Sequence, residues 1–233
     1  METHAFNAGD FTLPNVRRDF PEWHRGRPCY ALWALEVDFP SVMQRVLAAQ
    51  AHLAGLLLEG YCRQPHVTLR LCGFPTESPR YPDDFGAAGL ERQLAALRRV
   101  RPSPFEIRIG GLESFTSAPY LSVSDPGENL AALHAALALG GDEVHLYTPH
   151  VTVGLYADAW PIPEVHARLQ RFAVIEPLRL NVTGISLLSY AAPDIGGALT
   201  VMARYDFDST TLVWLDTLPF SLEIPPTPPV PCP

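Results

Sequence analysis

Pro65-His66-Val67-Thr68-Leu69-Arg70-Leu71-Cys72 and Pro149-His150-Val151-Thr152-Val153-Gly154-Leu155-Tyr156 are two versions of one pattern, and 84 positions separate their histidines. In each, a proline precedes His-Val-Thr and an apolar run follows. β-Branched side chains suit the pleated surface, so each tetrapeptide predicts the opening of a strand. Side chains alternate along a strand, which puts His66 with Thr68 on one face and His150 with Thr152 on one face. A lone His-Val-Thr is commonplace. Its repetition with the same proline and the same following strand points to half an active site used twice, the other reading being a repeated structural strand.

The segments around the motifs alternate in type. Tyr30 to Val37 reads as a strand, and Ser41 is placed to cap an amphipathic helix reaching about Leu58, with Val42, Val46, Leu47, Ala49 and Leu53 near helical spacing. The first motif strand runs from His66 to about Phe74. A helix from Gly86 to Val100 carries Leu90, Leu94 and Leu97 on one face, and Phe105–Ile109 and Tyr120–Ser124 predict a strand pair. A helix over Asn129–Leu139 and an extended approach over Val144–Thr148 precede the second motif. Ile162–Phe172 predicts a short helix with Pro163 in its first turn, and Leu178–Leu188 and Leu199–Phe207 two closing strands. A motif strand follows a helix in each half, which points to duplication: two α+β lobes, each giving one sheet to a shared cleft.

The boundaries follow. Residues 1–27 are a polar, irregular lead-in, 28–207 the two-lobed domain, 208–224 an extension containing the apolar Leu212-Val213-Trp214-Leu215, and 225–233 a proline-rich tail suited to extended polyproline. With 233 residues, 47% hydrophobic and 18% charged, the chain is globular. A net charge of −8 argues against a duplex DNA footprint but not against a small anion or a single RNA end in a local basic pocket. No run approaches the roughly 18 apolar residues of a membrane span, and Met1 to Asp19 shows no signal-peptide pattern, so neither a span nor a leader is expected. Cys29, Cys62, Cys72 and Cys232 form no zinc-like spacing, so a reducing cytoplasm is the expected setting. A zinc set of His145, His150 and His66 lacks a carboxylate or cysteine to complete it, and His145 falls on the opposite strand face. No metal or other cofactor is expected.

Two imidazoles divide proton transfer naturally, since their ordinary pKa lies near neutrality. A reaction needing a base on one side and an acid on the other is in-line displacement at phosphorus. The two threonine hydroxyls then donate to the non-bridging oxygens, where charge accumulates.

The paired His-x-Thr motifs resemble those of the two-histidine phosphoesterase superfamily, in its 2′-5′ RNA ligase and RNA 2′,3′-cyclic phosphodiesterase branch. Arg27-Pro28-Cys29-Tyr30-Ala31-Leu32-Trp33 resembles that branch's first strand. Leu187-Leu188-Ser189-Tyr190, Gly196-Gly197 and Ala203-Arg204-Tyr205-Asp206-Phe207 resemble its closing strand pair. The resemblance spans roughly Arg27 to Phe207. It implies a bilobal α+β fold, two lobes related by a pseudo-twofold axis, each with an antiparallel sheet and flanking helices, around a central cleft. It also implies catalytic roles for His66, Thr68, His150 and Thr152, with His66 as acid on the departing oxygen and His150 as base on water. The activity implied is metal-independent opening of 2′,3′-cyclic phosphates on RNA ends or nucleotides, with 2′-5′ ligation as its reverse. A non-catalytic RNA-end or nucleotide binder is the alternative.

Leu155 stands where many members of that branch carry an arginine. Arg70, two steps beyond Thr68 and on the same strand face, is the candidate replacement, its other reading being a charge reaching solvent. Tyr156, at the matching place after Thr152, either stacks on a nucleobase or closes the core at the strand end. Trp33 and Phe74 are further candidates for substrate contact, set against a place in the core.

Overall fold

The computed structural model describes residues 11–139, 147–173, 176–218 and 220. The first ten residues, His145, most of the approach expected over Val144–Thr148, and the proline-rich tail with Cys232 lie outside the described residues. The short helix α1 (Pro21–His24) precedes β1 (Cys29–Glu36) and α2 (Pro40–His52). The first motif opens β2 (His66–Pro75), followed by β3 (Asp84–Phe85), α3 (Ala87–Val100), β4 (Phe105–Ser114), β5 (Pro119–Ser124) and α4 (Asn129–Ala138). The second motif is β6 (His150–Thr152), followed by α5 (Ile162–Gln170), β7 (Leu178–Val182), β8 (Gly184–Ala191), β9 (Leu199–Asp206) and β10 (Thr211–Trp214).

Four boundaries differ from the sequence expectation, each for a local reason. Helix α2 starts at Pro40, whose missing N–H costs nothing in a first turn, so Ser41 lies inside the helix and caps nothing. It stops at His52 rather than Leu58, because Gly55 takes φ +87° and the chain turns to bond the segment after the second motif, Leu58 N–H to Leu155 O and Ala157 N–H to Leu56 O. The expected strand Leu178–Leu188 is two strands. It breaks around Gly184, where a Cβ would stand 2.5 Å from the Tyr205 carbonyl oxygen, and its halves pair with different neighbours. The second motif strand ends at Thr152 instead of running on through Tyr156.

The fold is α+β, built on a single sheet in the order β10-β9-β8-β1-β2-β6-β5-β4-β7, antiparallel throughout, with β3 added parallel to β2. The two expected sheets are therefore one. They meet where the motif strands β2 and β6 pair at Val67 and Val151. Helices α2 to α5 cover one face, where Val42 and Val46 of α2, Leu90 and Leu94 of α3, Leu130 and Leu133 of α4 and Val165 of α5 share a core with Leu35, Val67, Val151 and Leu121 of the sheet. On the other face the apolar cluster is small: Leu32, Ala34, Leu188 and Leu199. The core thus holds the odd-numbered residues of each motif and leaves the even-numbered ones to the uncovered face.

Val67 and Val151 are both fully buried at this junction. Truncating either removes two methyl groups from a packed site, so Val67→Ala and Val151→Ala are each expected to lower the unfolding free energy by about 1–3 kcal/mol. Val213→Ala, at a residue 53% exposed on β10, is expected to change it by less than about 0.5 kcal/mol. Urea denaturation of the three variants checks this, and equal losses would contradict the assigned junction.

Candidate active site

The register decides what the uncovered face presents. Leu35 pairs with Val67, Val67 with Val151 and Val151 with Leu121, a row of four on the helix side. One step to either side, Glu36 pairs with His66 and Tyr120 with Thr152, while Ala34 pairs with Thr68 and Ser122 with His150. His66 therefore neighbours Thr152 across the junction, and Thr68 neighbours His150. All four motif side chains project from one face, in an arrangement that a two-fold rotation about the Val67–Val151 pair maps onto itself. Diagonal neighbours in such a pair lie roughly 7–8 Å apart, a spacing that leaves room for one tetrahedral group between two imidazoles.

Both imidazoles are oriented by the same device. Nδ1 of His66 lies 2.8 Å from the Gln64 carbonyl oxygen, and Nδ1 of His150 lies 2.8 Å from that of Thr148, in each case two residues upstream. A carbonyl only accepts, so each Nδ1 carries the hydrogen and each neutral ring keeps its lone pair on Nε2. Burial pushes the His66 pKa down to about 4, against the Gln64 hydrogen bond, with Arg63 and His150 adding to the depression. Burial also lowers that of His150. Both rings are neutral at pH 7 in the free protein.

Neighbouring groups hold the constellation. The Tyr61 and Thr152 hydroxyls are hydrogen-bonded, with the buried Tyr61 phenol pushed up to about 12 by desolvation. The Tyr147 hydroxyl donates to the Thr68 carbonyl at 3.0 Å. The Phe115 ring stands edge-on to His150 at 4.9 Å, and Tyr120 lies 5.3 Å from it. The segment entering β2 is pinned to the β8–β9 connection: Cys62 N–H donates to Gly196 O at 3.0 Å, and the Gln64 amide exchanges two hydrogen bonds with the backbone of Leu199. Arg63, between these anchors, lies over the Tyr190 ring, 4.1 Å from its centroid. Tyr61, Arg63 and Tyr147 were not among the sequence candidates. The one available signal was the position of Tyr61 and Arg63 in the segment leading into a motif.

The accessory candidates fare differently from the motif residues. Trp33 is fully buried on the helix side, its indole donating to Gln93 at 2.9 Å, and Phe74 is fully buried against Trp23 and Tyr30. Tyr156 is also fully buried, its hydroxyl 2.6 Å from that of Ser114, because the chain leaves the sheet after Thr152. These three belong to the core, which corrects their reading as substrate contacts. Arg70 departs from expectation through a bulge. Ala34 pairs with Thr68 but Trp33 pairs with Arg70, so one extra residue enters β2 and Arg70 shifts to the row of Trp33. Leu71, paired with Leu32 and 53% exposed, occupies the face that regular alternation would have given to Arg70. Other histidines have structural partners: His24 bonds Asp19, His52 the Arg168 carbonyl and His134 that of Leu69.

The 2′-5′ RNA ligase superfamily is matched over residues 44–194, a span that contains both motifs. The chain belongs to this superfamily. It is a superfamily of phosphoesterases and ligases. Among solved structures, that of TT0787 of Thermus thermophilus is 18% identical, with a TM-score of 0.51 over 76% of this chain and 97% of that one. E. coli LigT in its apo form is 15% identical (TM-score 0.48, 78% of this chain and 98% of that one), and its complex with 3′-AMP is 16% identical (0.49, 77% and 98%). At such identities the TT0787 likeness speaks to the fold alone. No curated protein matches the chain.

Among the described residues no three His, Cys, Asp or Glu side chains converge to hold a metal ion, and no helix is long and apolar enough to cross a membrane. The imidazoles carry a stability consequence. Their folded pKa values lie below the unfolded value near 6.5, so the unfolded chain binds more protons between the two. Their contribution is complete above pH 6.5 and is lost as pH falls through the folded pKa, for His66 about 4. Stability is expected to decline from pH 6.5 towards pH 4, and His66→Gln to decline less steeply. Urea unfolding at pH 7, 5.5 and 4.5 measures both slopes; parallel slopes would contradict the depressed pKa.

Proposed function

We propose that the protein is a phosphodiesterase that opens 2′,3′-cyclic phosphates on RNA ends or nucleotides, using His66 and His150 as its acid–base pair and no metal. One observation carries this reading: the register places two imidazoles and two threonine hydroxyls on one face, each imidazole with Nε2 as its lone-pair nitrogen. Nε2 of His150 takes a proton from water as its oxygen bonds to phosphorus. Nε2 of His66, protonated, gives its proton to the ribose oxygen as the opposite P–O bond breaks. Thr68 and Thr152 donate to the non-bridging oxygens. Joining a cyclic end to a 5′-hydroxyl is the same displacement run backwards. A non-catalytic binder would need no pair of oriented, titratable groups, and that favours the enzyme.

The assignment of acid to His66 rests on the family resemblance. Burial and Arg63 oppose its protonation in the free protein, whereas a bound phosphate supplies the opposing negative field. The acid is therefore loaded together with substrate. It follows that the pH profile of kcat, which reports the complex, is centred at higher pH than that of kcat/KM, which reports the free enzyme. Coincident profiles would contradict this.

The decisive experiment incubates 2′,3′-cyclic nucleotides and a cyclic-phosphate-ended oligonucleotide with the protein in EDTA, with the product phosphate position read by NMR. Turnover is expected to persist, and its loss in EDTA with recovery on adding zinc or manganese would overturn the metal-free mechanism. His66→Ala and His150→Ala are each expected to cost about 10²–10⁴-fold. The double variant should cost far less than the product of these losses, since the two groups act as a unit. A substrate whose leaving group needs no proton should rescue His66→Ala and not His150→Ala.

A further inference from the structure

We propose that Arg63 is a substrate contact, its guanidinium binding the non-bridging oxygens of the reacting phosphate on the His66 side of the site. This rests on the phosphodiesterase reading and names the group that recognises the anion. The backbone sets the position first. Cys62 is tied to the β8–β9 connection and Gln64 to Leu199 at the start of β9, so Arg63 stands between two fixed residues, three before His66.

The guanidinium is fixed as well. It lies over the Tyr190 ring at 4.1 Å, and its Nε–H donates to the Gly197 carbonyl at 3.3 Å. Stacking, a side-chain hydrogen bond to the Tyr190 hydroxyl and the Nε bond orient the plane, and the rest of the N–H fork is available to an anion. Among the described residues no carboxylate pairs with Arg63. Other arginines do have such partners: Arg27 with Asp83 and Asp84, Arg204 with Glu36, Arg17 with Asp194 and Arg18 with Glu22.

Its position is that of the site itself. The charge of Arg63 acts on His66 and on Tyr61, and Tyr61 bonds the Thr152 hydroxyl. A half-buried, oriented cation with no carboxylate partner among the described residues thus acts on the neutral imidazole of His66. The partner this arrangement suits is an anion, and a planar fork of N–H groups matches two oxygens of a phosphate.

The test uses the full chain with Arg63, Arg63→Ala and Arg63→Lys. Inorganic phosphate binding is followed by the ¹⁵N signals of the His66 and His150 rings, and turnover by 2′,3′-cyclic nucleotide hydrolysis. Arg63→Ala is expected to weaken phosphate binding roughly 10- to 100-fold and to lower kcat/KM by about 10²–10³-fold. Lysine should restore part of the loss, and added guanidinium ion should restore turnover to Arg63→Ala. Wild-type binding and turnover in Arg63→Ala would overturn the proposal. So would losses that neither lysine nor guanidinium relieves, with altered ring signals before phosphate is added, since these mark a purely structural role. A wild-type protein that binds phosphate through Arg63 yet opens no cyclic phosphate would remove the phosphodiesterase reading and leave this contact standing.

Discussion

The pairing of Val67 with Val151 is the constraint on which the rest of the structure depends. These valines are the pairing through which β2 and β6 join, and so the point at which nine ordered strands become one sheet. Both side chains are buried on the helix side, each burial worth about 1.5–3 kcal/mol, so the register is held by the core rather than by the site. A slip of one residue in either strand would carry its histidine and threonine to the helix side and its valine to the open face. Packing chemistry with no role in the reaction thereby positions four groups that would have one.

Electrostatics on the open face work against protonation. Desolvation depresses both imidazoles, and the upstream carbonyls that fix the tautomers only partly offset it. The surroundings are largely neutral: a phenol bonded to Thr152, aromatic rings around His150, and backbone oxygens. The charged exceptions are Arg63 and the Glu36–Arg204 ion pair in the His66 row. The site therefore has a polarity that the near-identical motifs do not reveal, with positive charge beside His66 and aromatic surface beside His150. Two halves with the same four-residue signature are made unequal by what the flanking segments lay against them.

Much of this was legible in the sequence because its causes are local. The His-Val-Thr alternation gave the faces of the motif strands, and the apolar periodicities placed α3, α4 and most of the strands close to their observed limits. What was not legible depended on long-range pairing. The bulge that moves Arg70 to the row of Trp33 and brings Leu71 to the site face is set by how β2 fits β1. The burial of Tyr156 follows from β6 ending after three residues, where Ser114 receives its hydroxyl. The single continuous sheet was hidden for the same reason: no local pattern states that two motif strands 84 positions apart lie side by side. The contribution of Tyr61 and Arg63 comes from an irregular segment, for which periodicity has no vocabulary.

The lead-in bears on how freely the two halves of the sheet move. Around the second motif, Thr12 bonds Asp158 and Trp160, Leu13 bonds Thr116, and Asn15 bonds Ser117 and Tyr156. Around the first, Arg17 bonds the carbonyls of Glu59 and Gly60 and the carboxylate of Asp194, and Arg27 binds Asp83 and Asp84. A sheet hinged on one residue pair would flex most readily at that pair. This segment is fastened to both leaves like a tendon, so a hinge motion between them would strain its hydrogen bonds. The stiffness of the face that carries the two motifs is thus partly supplied by the lead-in, far from the motifs in sequence.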